Sequence, residues 1–278
     1  MKPRPFDYAR PDTVEEALEL LAAHGEAARI LAGGQSLMAL LNLRLAEPAL
    51  LVDIARIPEL RRITRRGGCV EFGAAVTQNA ALGWPELADA VPLLARALPW
   101  VGHFQTRNRG TLCGSVAHAD PSSEIPLSLA ALEGEVVLRS VRGTRVLPAS
   151  AFQKGLLSTA RAADEMIVAV RFPDAPGTGA AFREVARRHG DFAIVALAAV
   201  AGRDGVVRLA VGGVADRPLV RRLGPAETGS PEALEAAADA LARAAGGHDD
   251  VHASAHYRRD LVRRLGPAVV REALSCAA

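Results

Sequence analysis

The segment Arg109–Pro126, R-G-T-L-C-G-S-V-A-H-A-D-P-S-S-E-I-P, concentrates residues that could bind a polar ligand. It contains two glycines, four hydroxyl side chains and two acids, and an apolar run follows it directly. Glycine lets backbone N–H groups approach a ligand closely, while hydroxyls and carboxylates suit phosphates and sugar hydroxyls. A polar loop that only caps the following helix would have the same composition. The segment is therefore a candidate site whose meaning depends on the rest of the chain.

A second candidate segment, Gly33–Ser36, joins two apolar stretches. Residues 29–32 before it predict a short buried strand, and the run L-M-A-L-L-N-L-R-L after it favours a helix. The free N–H groups and the dipole at such a helix start, together with the glycine turn, would suit a pyrophosphate. The G-x-G-x-x-G pattern of Rossmann folds is absent here. A plain turn between a strand and a helix is the alternative.

The composition narrows the classes of function. The chain has 278 residues, of which 50% are hydrophobic, and this allows one large or two ordinary domains. A formal net charge of +2 and an aromatic content of 4% argue against a nucleic-acid or anionic-membrane partner. The N-terminus lacks the apolar core of a secretory signal, and no apolar run reaches the length of a membrane span, so we expect no membrane insertion.

The spacing of cysteine and histidine predicts neither a disulfide framework nor a metal site. Cys69, Cys113 and Cys276 lie far apart, and the seven histidines do not form a zinc-binding pattern. We therefore expect no metal bound by this chain and a reducing, cytoplasmic location.

Strands and helices are mixed over the first part of the chain. Thr13 and Glu16 predict a capping box for a helix that ends at Gly25. Strands are predicted at 29–32, at 50–54, within 57–76, at 135–140, at 144–147 and at 165–172. Between them lie a helical stretch over 85–98, broken or kinked at Pro92, and a buried helix over 125–132.

The clearest boundary signal is the segment P-D-A-P-G-T-G at residues 173–179. Beyond it, three strands are predicted at 180–188, 193–201 and 206–214, in an antiparallel meander. Two helices follow, which begin at Ser230 and Ser254. The pattern predicts an α+β chain whose last third differs in architecture from the rest.

Four stretches, taken together, are far more specific than either glycine segment alone. They are L-A-G-G-Q-S-L with R-L-A-E-P-A-L-L-V-D-I behind it, R-N-R-G-T-L-C-G-S-V-A-H-A-D-P-S-S-E-I-P, D-F-A-I-V, and D-V-H-A-S-A-H-Y-R-R-D-L. In this order, and over almost the whole chain, they resemble the FAD-binding medium subunits of the molybdenum hydroxylases, the family of xanthine dehydrogenase and carbon monoxide dehydrogenase.

The resemblance implies an α+β fold. It consists of a two-subdomain α/β FAD-binding region of the PCMH type, followed by a C-terminal domain with a three-stranded antiparallel sheet and helices. The expected FAD-binding region covers 1–175, with subdomains of about 1–56 and 57–175, and the C-terminal domain covers 176–278.

The resemblance also implies which residues bind FAD, without a covalent link. Residues 30–37 would wrap the pyrophosphate, residues 111–115 would contact the second phosphate and the ribityl chain, and Glu124, Ile167 and Arg183 would lie near the flavin. The complete expected set is Ile30, Leu31, Ala32, Gly33, Gly34, Gln35, Ser36, Leu37, Val101, Thr111, Leu112, Cys113, Gly114, Ser115, Asp120, Glu124, Ile167 and Arg183. No catalytic residue and no metal ligand is expected in this chain.

Three positions depart from the family's usual pattern. Cys113 stands where glycine is common, and it would be strained if that position needed a positive φ. Glu124 replaces an aspartate and reaches further, and Arg183 replaces a lysine with a cation of different geometry. These changes leave FAD binding intact but leave the redox tuning of the flavin open.

Several other polar residues allow two interpretations. His118 could lie near the flavin or fill a polar loop position, and the cluster Arg187–His189 beside Asp191 could border the flavin edge or be a surface face. Arg107 and Arg109 could attract the FAD phosphates, pair with acids on a partner or simply be solvated. His103 gives no stronger signal, and neither His103 nor His118 matches a motif for covalent attachment of a flavin.

The resemblance implies an oxidoreductase subunit that transfers electrons through FAD to an external acceptor. The expected partners are a large subunit with a molybdopterin cofactor and a small subunit with [2Fe–2S] clusters, in a dimer of heterotrimers. The absence of cysteine clusters fits this division, since iron–sulfur clusters need cysteine ligands. A stand-alone FAD-dependent oxidase or reductase, and an assembly subunit without enzymatic activity, are the alternatives. The substrate and the acceptor are not encoded in recognisable motifs.

Overall fold

The computed structural model of the protein describes residues 2–277. The first part of the chain forms a three-stranded parallel sheet in the order β1-β3-β2. Its elements are β1 (Asp7–Ala9), α1 (Val14–His24), β2 (Ala28–Leu31), α2 (Leu37–Asn42) and β3 (Leu50–Asp53). Helix α1 begins where Thr13 Oγ1 accepts a hydrogen bond from the N–H of Glu16, and it buries Val14, Leu18 and Leu21.

A five-stranded antiparallel sheet, in the order β4-β5-β10-β6-β7, forms the second part. Its elements are β4 (Ile63–Arg66), β5 (Cys69–Gly73), α3 (Gln78–Leu82), α4 (Leu87–Ala90), α5 (Pro92–Ala97), α6 (Phe104–Arg109), α7 (Leu112–His118), α8 (Glu124–Ala131), β6 (Glu135–Ser140), β7 (Gly143–Pro148), α9 (Ala149–Phe152), β8 (Gln153–Gly155), β9 (Ser158–Thr159) and β10 (Met166–Pro173). The predicted break before Pro92 is present, because Val91 has φ −137° and separates α4 from α5.

The last part contains a four-stranded antiparallel sheet and helices. Its elements are β11 (Gly179–Val185), β12 (Val195–Ala201), β13 (Val207–Gly212), β14 (Leu219–Leu223), α10 (Pro225–Thr228), α11 (Pro231–Ala245) and α12 (Ala255–Ser275). The α+β fold class is confirmed, but the prediction of three strands is wrong because β14 adds a fourth. The sequence L-V-R-R-L does not look like a buried strand, because two of its five residues are charged. These arginines form ion pairs outside the sheet, with Glu227 and Glu133.

Strand β12 holds the last part against the rest of the molecule. Ala196, Ala198 and Val200 point into the large core shared with the first two sheets, while Leu197 and Ala199 point into the smaller core under α11 and α12. Both faces of the strand are therefore buried, which explains its unbroken apolar sequence. Helix α8 packs against β12 and β13 from the side of the large core.

Candidate functional site

The two glycine segments lie against each other. A Cβ atom added to Gly33 would overlap the carbonyl oxygen of Arg109 and would lie 2.8 Å from the Cα atom of Gly110. Only a residue without a side chain allows this approach. Gly33–Ser36 and Gly110–Ser115, which we call the first and second loops, therefore form one continuous surface.

The first loop presents unused hydrogen-bond donors. Gly34 has φ +73°, a conformation that favours glycine, and its carbonyl oxygen accepts a hydrogen bond from the N–H of Met38. Within residues 2–277, the N–H groups of Gly34, Gln35 and Ser36 donate no hydrogen bond to the protein. A cluster of free N–H groups is a suitable partner for phosphate oxygens.

The second loop is also a helix start, so both interpretations of its polar residues apply. Thr111 Oγ1 accepts a hydrogen bond of 2.9 Å from the N–H of Gly114 at the start of α7. The carbonyl oxygen of Gly110 accepts a hydrogen bond of 2.8 Å from the N–H of Gln78, which ties the loop to α3. The Thr111 hydroxyl is therefore occupied by the helix cap, while the other residues of the second loop remain available to a ligand.

Cys113 is accommodated without strain. It lies in the first turn of α7 and is not among the residues with positive φ, so the side chain costs nothing relative to glycine. Its Sγ lies 3.5 Å from the carbonyl oxygen of Phe72, and burial raises the pKa of the thiol well above its usual range. A buried thiol of this kind is unreactive.

A cavity of about 640 Å³ opens beside the two loops. This volume lies within the range of pockets that hold small molecules and cofactors. The expected residues that line it are Ile30, Ala32, Gly33, Gly34, Gln35, Ser36, Leu37, Val101, Thr111, Cys113, Gly114, Ser115, Glu124 and Ile167. The expected residues Leu31, Leu112, Asp120 and Arg183 do not line it.

Three of these exceptions have simple causes. Leu112 is fully buried and points into the core, and Asp120 Oδ1 accepts a hydrogen bond of 2.8 Å from the N–H of Ser122 within its own turn. Side chains on a strand alternate between its faces, and β11 turns Arg183 away from the cavity. Arg183 pairs instead with Glu272 of α12, with an N–O distance of 2.9 Å.

The neighbour of Arg183, Glu184, lies on the opposite face of β11, toward the large core, and is not among the residues that line the cavity. It shares this face with Phe182, whose ring packs 6.3 Å from the ring of Trp100. Oε2 of Glu184 is buried without a hydrogen-bond partner. Burial and then the charge of Glu124 raise the pKa of Glu184 to about 8.

Glu124, which lines the cavity at the start of α8, is only 7% exposed. Burial raises its pKa to about 7, and the nearby charge of Asp120 acts in the same direction. We call Glu124 and Glu184 the acidic pair. With pKa values near or above neutrality, the pair holds a proton at pH 7 rather than two negative charges.

Sequence reasoning missed two arginines that line the cavity, Arg29 on β2 and Arg161 between β9 and β10. We call them the arginine pair. It also missed the contributions of Gln78, Leu157 and Thr159. Arg29 could have been found as the only charged residue of an apolar strand, whereas Arg161 lies in an irregular segment that carries no motif.

The basic cluster predicted as a possible flavin border, Arg187–His189, does not line the cavity, but the residues that follow it do. Gly190, Asp191 and Phe192 line it, while Arg187 and Arg188 are not among the lining residues. His118 lines the cavity and His103 does not, although the His103 ring lies close to Gly190.

A buried arginine explains why the stretch D-V-H-A-S-A-H-Y-R-R-D-L matters for the site. Arg258, 2% exposed, donates hydrogen bonds to the carbonyl oxygens of Ile194 and Gly213 and pairs with Asp250 at 2.7 Å. Gly213 in turn donates from its N–H to the carbonyl oxygen of Pro121, in the turn between α7 and α8. This network fixes the segment before β12 at the mouth of the cavity.

The donor set of the cavity fits a dinucleotide. Free N–H groups and two guanidiniums suit phosphates, and the buried, unpartnered Oε1 of Gln78 can accept a hydrogen bond from a ligand. No group of three or more potential metal ligands occurs within residues 2–277. None of the helices over the same residues has the length and apolar character that would let it cross a membrane.

Two family models match the chain. The model described as "FAD binding domain in molybdopterin dehydrogenase" matches residues 4–175, and the model described as "CO dehydrogenase flavoprotein C-terminal domain" matches residues 180–273.

Relatives and solved structures agree with this match. The chain is 39% identical to the nicotine 6-hydroxylase medium subunit of Paenarthrobacter nicotinovorans, over 98% of this chain and 99% of that protein. It is 36% identical to the carbon monoxide dehydrogenase medium chain of Hydrogenophaga pseudoflava, over 100% of this chain and 98% of that protein. A solved structure of carbon monoxide dehydrogenase from the same organism, which lacks the Mo-pyranopterin moiety of the molybdenum cofactor, superimposes with a TM-score of 0.93 at 34% identity and covers both chains completely.

Proposed function

The chain belongs to the FAD-binding medium subunits of the molybdenum hydroxylases, the xanthine dehydrogenase family of oxidoreductases, and we propose from this premise that it is the electron-transfer subunit of such a complex. In the proposed complex, electrons pass from [2Fe–2S] clusters of a small partner subunit through the FAD held here to an external acceptor. When bound, the FAD supplies the exchange between one-electron and two-electron chemistry.

The observation that carries the proposal is the contact between the two loops beside a cavity of about 640 Å³. Neither loop alone offers more than a few donors. Together they surround one space with free N–H groups, hydroxyls and a carboxyl acceptor, which suits phosphates and polyhydroxyl chains at once. We assign the first loop to the diphosphate and the second loop to the ribityl chain and its neighbouring phosphate.

The lining residues keep the cofactor in place and set its surroundings. Val101 and Ile167 are buried apolar residues of the wall, and they suit the flat face of a flavin ring. Glu124 holds its carboxyl group against the cavity, where its protonation sets the local charge. In this proposal the chain binds FAD without a covalent bond and contributes no general base or nucleophile.

The domain bounds and the roles of the partner subunits follow from the same premise. We propose domains at 1–175 and 176–278, with a subdomain boundary near residue 56, which is supported by the separate sheets of these regions. Substrate oxidation is assigned to a large molybdopterin-binding subunit, in a dimer of heterotrimers located in the cytoplasm. The names "medium subunit" and "medium chain" among the relatives support the presence of one larger and one smaller partner subunit.

The first test is a visible absorption spectrum of the purified full chain after reconstitution with FAD and removal of free flavin. We expect a bound-flavin spectrum in the wild-type chain and its loss in Gly33→Ala, because the added Cβ separates the two loops. Gly224→Ala is the matched control, since a Cβ there meets nothing within 4 Å. A wild-type chain that retains no flavin would refute the proposal.

The second test is the composition of the complex. Co-expression with genes next to this one should yield a stable assembly with a large molybdopterin-containing and a small iron–sulfur subunit. If the isolated chain instead oxidises a substrate with FAD alone, it is a stand-alone oxidase or reductase and the subunit role is wrong.

A further inference from the structure

The arginine pair reaches the cavity from two separate elements, and both side chains are fixed at one nitrogen. Nη1 of Arg29 donates hydrogen bonds to the carbonyl oxygens of Glu26, at 2.8 Å, and Ala28, at 3.0 Å. Nη1 of Arg161 donates to the carbonyl oxygens of Ala162, at 2.9 Å, and Glu165, at 2.8 Å. Each guanidinium is thus anchored to the backbone in one orientation.

The remaining edge of each guanidinium is unused. Within residues 2–277, Nε and Nη2 of Arg29 and of Arg161 donate no hydrogen bond to the protein, and neither side chain forms an ion pair within 4.0 Å. This edge is the one that binds a carboxylate or a phosphate through two parallel hydrogen bonds. Because only Nη1 is bonded to the backbone, the Nε–Nη2 edge of each arginine is free to bind an anion.

The acids nearest to Arg161 already have partners. Asp164 accepts hydrogen bonds from Arg142, and Glu165 accepts hydrogen bonds from Arg145 at 2.5 Å and 2.7 Å. Burial and then the charge of Arg29 lower the pKa of Arg161, so the two cations are close enough to repel each other. Arginine cannot relieve this repulsion by losing its proton near neutral pH.

We propose that Arg29 and Arg161 form a clamp on the diphosphate of FAD and distinguish FAD from riboflavin, which carries no phosphate. This inference rests on the proposed function. The diphosphate carries two negative charges, which match the two guanidiniums. Arg29 lies on β2, the strand that leads into the first loop, and Arg29, Arg161 and the first loop all line the same cavity.

The clamp is tested by titrating the flavin-free full chain with FAD and riboflavin and following flavin fluorescence. Arg161→Gln and Arg29→Gln are each expected to weaken FAD binding roughly 10- to 100-fold, the range for loss of charge-assisted hydrogen bonds. Riboflavin, which has no phosphate, should bind the variants and the wild type within about twofold. Arg66→Gln, at an exposed position that does not line the cavity, is the control.

Competition with inorganic pyrophosphate provides a readout that does not depend on the flavin ring. Pyrophosphate should displace FAD from the wild-type chain and lose this effect in Arg161→Gln. Arg161→Lys keeps the charge without the planar fork and should give an intermediate affinity for FAD.

Two results would overturn the clamp. One is an affinity of Arg161→Gln for FAD within twofold of wild type, and the other is an equal loss of affinity for FAD and riboflavin. Failure of the proposed function is a separate outcome, because there the wild-type chain itself does not bind FAD.

Discussion

The arginine pair and the acidic pair show two different responses to the same problem, like charges brought together at a partly buried cavity. Arg29 and Arg161 keep both charges, because a guanidinium stays protonated under physiological conditions. Glu124 and Glu184 instead raise their pKa values to about 7 and about 8, and so hold a proton. A carboxyl pair can adjust to burial by itself, whereas a guanidinium pair needs an anion from outside the chain.

The cavity therefore differs in charge from one part of its wall to another. Both members of the arginine pair line the cavity, and of the acidic pair Glu124 lines it at the start of α8 while Glu184 lies close enough for the charge of Glu124 to raise its pKa. FAD carries its two negative charges on the diphosphate in the middle of the molecule, so it can place them near the arginine pair and a neutral part near Glu124. The predictions below test whether the two pairs differ in the way that this comparison requires.

The largest effect is expected from reversing one charge of the arginine pair. Arg161→Glu removes an attraction to the diphosphate and adds a repulsion, so FAD affinity should fall roughly 1000-fold. The measurement is an FAD titration at pH 7. Glu184→Gln, the matched change at the acidic pair, should alter FAD affinity less than about fivefold, because Glu184 is already protonated at that pH. Equal losses in both variants would contradict the contrast.

The acidic pair should control how stability depends on pH. Because the folded pKa values of Glu124 and Glu184 exceed that of an exposed glutamate, the folded chain binds more protons than the unfolded chain. The free energy of unfolding should therefore fall, by up to roughly 6 kcal/mol, as the pH rises from about 5 to about 8. Glu184→Gln should flatten this dependence in urea titrations at the two pH values. An unchanged slope in the variant would show that the pair is not responsible.

A smaller effect is expected at Arg183, the cation that the sequence placed near the flavin. Its pairing with Glu272 is half exposed, so Arg183→Ala should cost less than about 1 kcal/mol of stability. FAD affinity should stay within about twofold of wild type. A loss above tenfold would return Arg183 to the site and would weaken the argument from strand alternation.

No effect at all is expected at Cys113, the uncharged residue at the second loop. Its thiol should not react with an aromatic disulfide reagent in the folded chain, with or without FAD, because burial raises its pKa and blocks access. The exposed Cys276 should react readily and serves as the internal control. Reaction of Cys113 in the native chain would indicate that the cavity opens further than the structure shows.

Much of the site was predictable because backbone geometry carries it. Gly33 and Gly110 lie where side chains are sterically excluded, and such positions leave a readable pattern in sequence. The acidic pair was only half predicted, since Glu124 lies in a motif but Glu184 was overlooked in favour of Arg183. An offset of one residue on a strand reverses the face, and no single sequence fixes that offset.

Other features could not be read from the sequence for physical reasons. Arg161 lies in an irregular segment, so no periodicity reports where its side chain points. Strand β14 is an edge strand with a charged centre, and its pairing with β13 depends on tertiary contacts rather than on its own composition. The role of Arg258 likewise depends on the meeting of Ile194 and Gly213, which lie far from it in the chain.

The position of Gly190–Phe192 in the wall of the cavity has a consequence for the stability of the folded chain. Part of the cavity wall belongs to the last part of the chain, held there by Arg258 and by the bond from Gly213 to Pro121. A ligand bound there holds the two parts of the chain together, and by mass action it stabilises the folded form as its concentration rises above the dissociation constant. A shortage of flavin is therefore expected to lower the stability of the folded chain, and the junction between its two parts is where that loss should appear first.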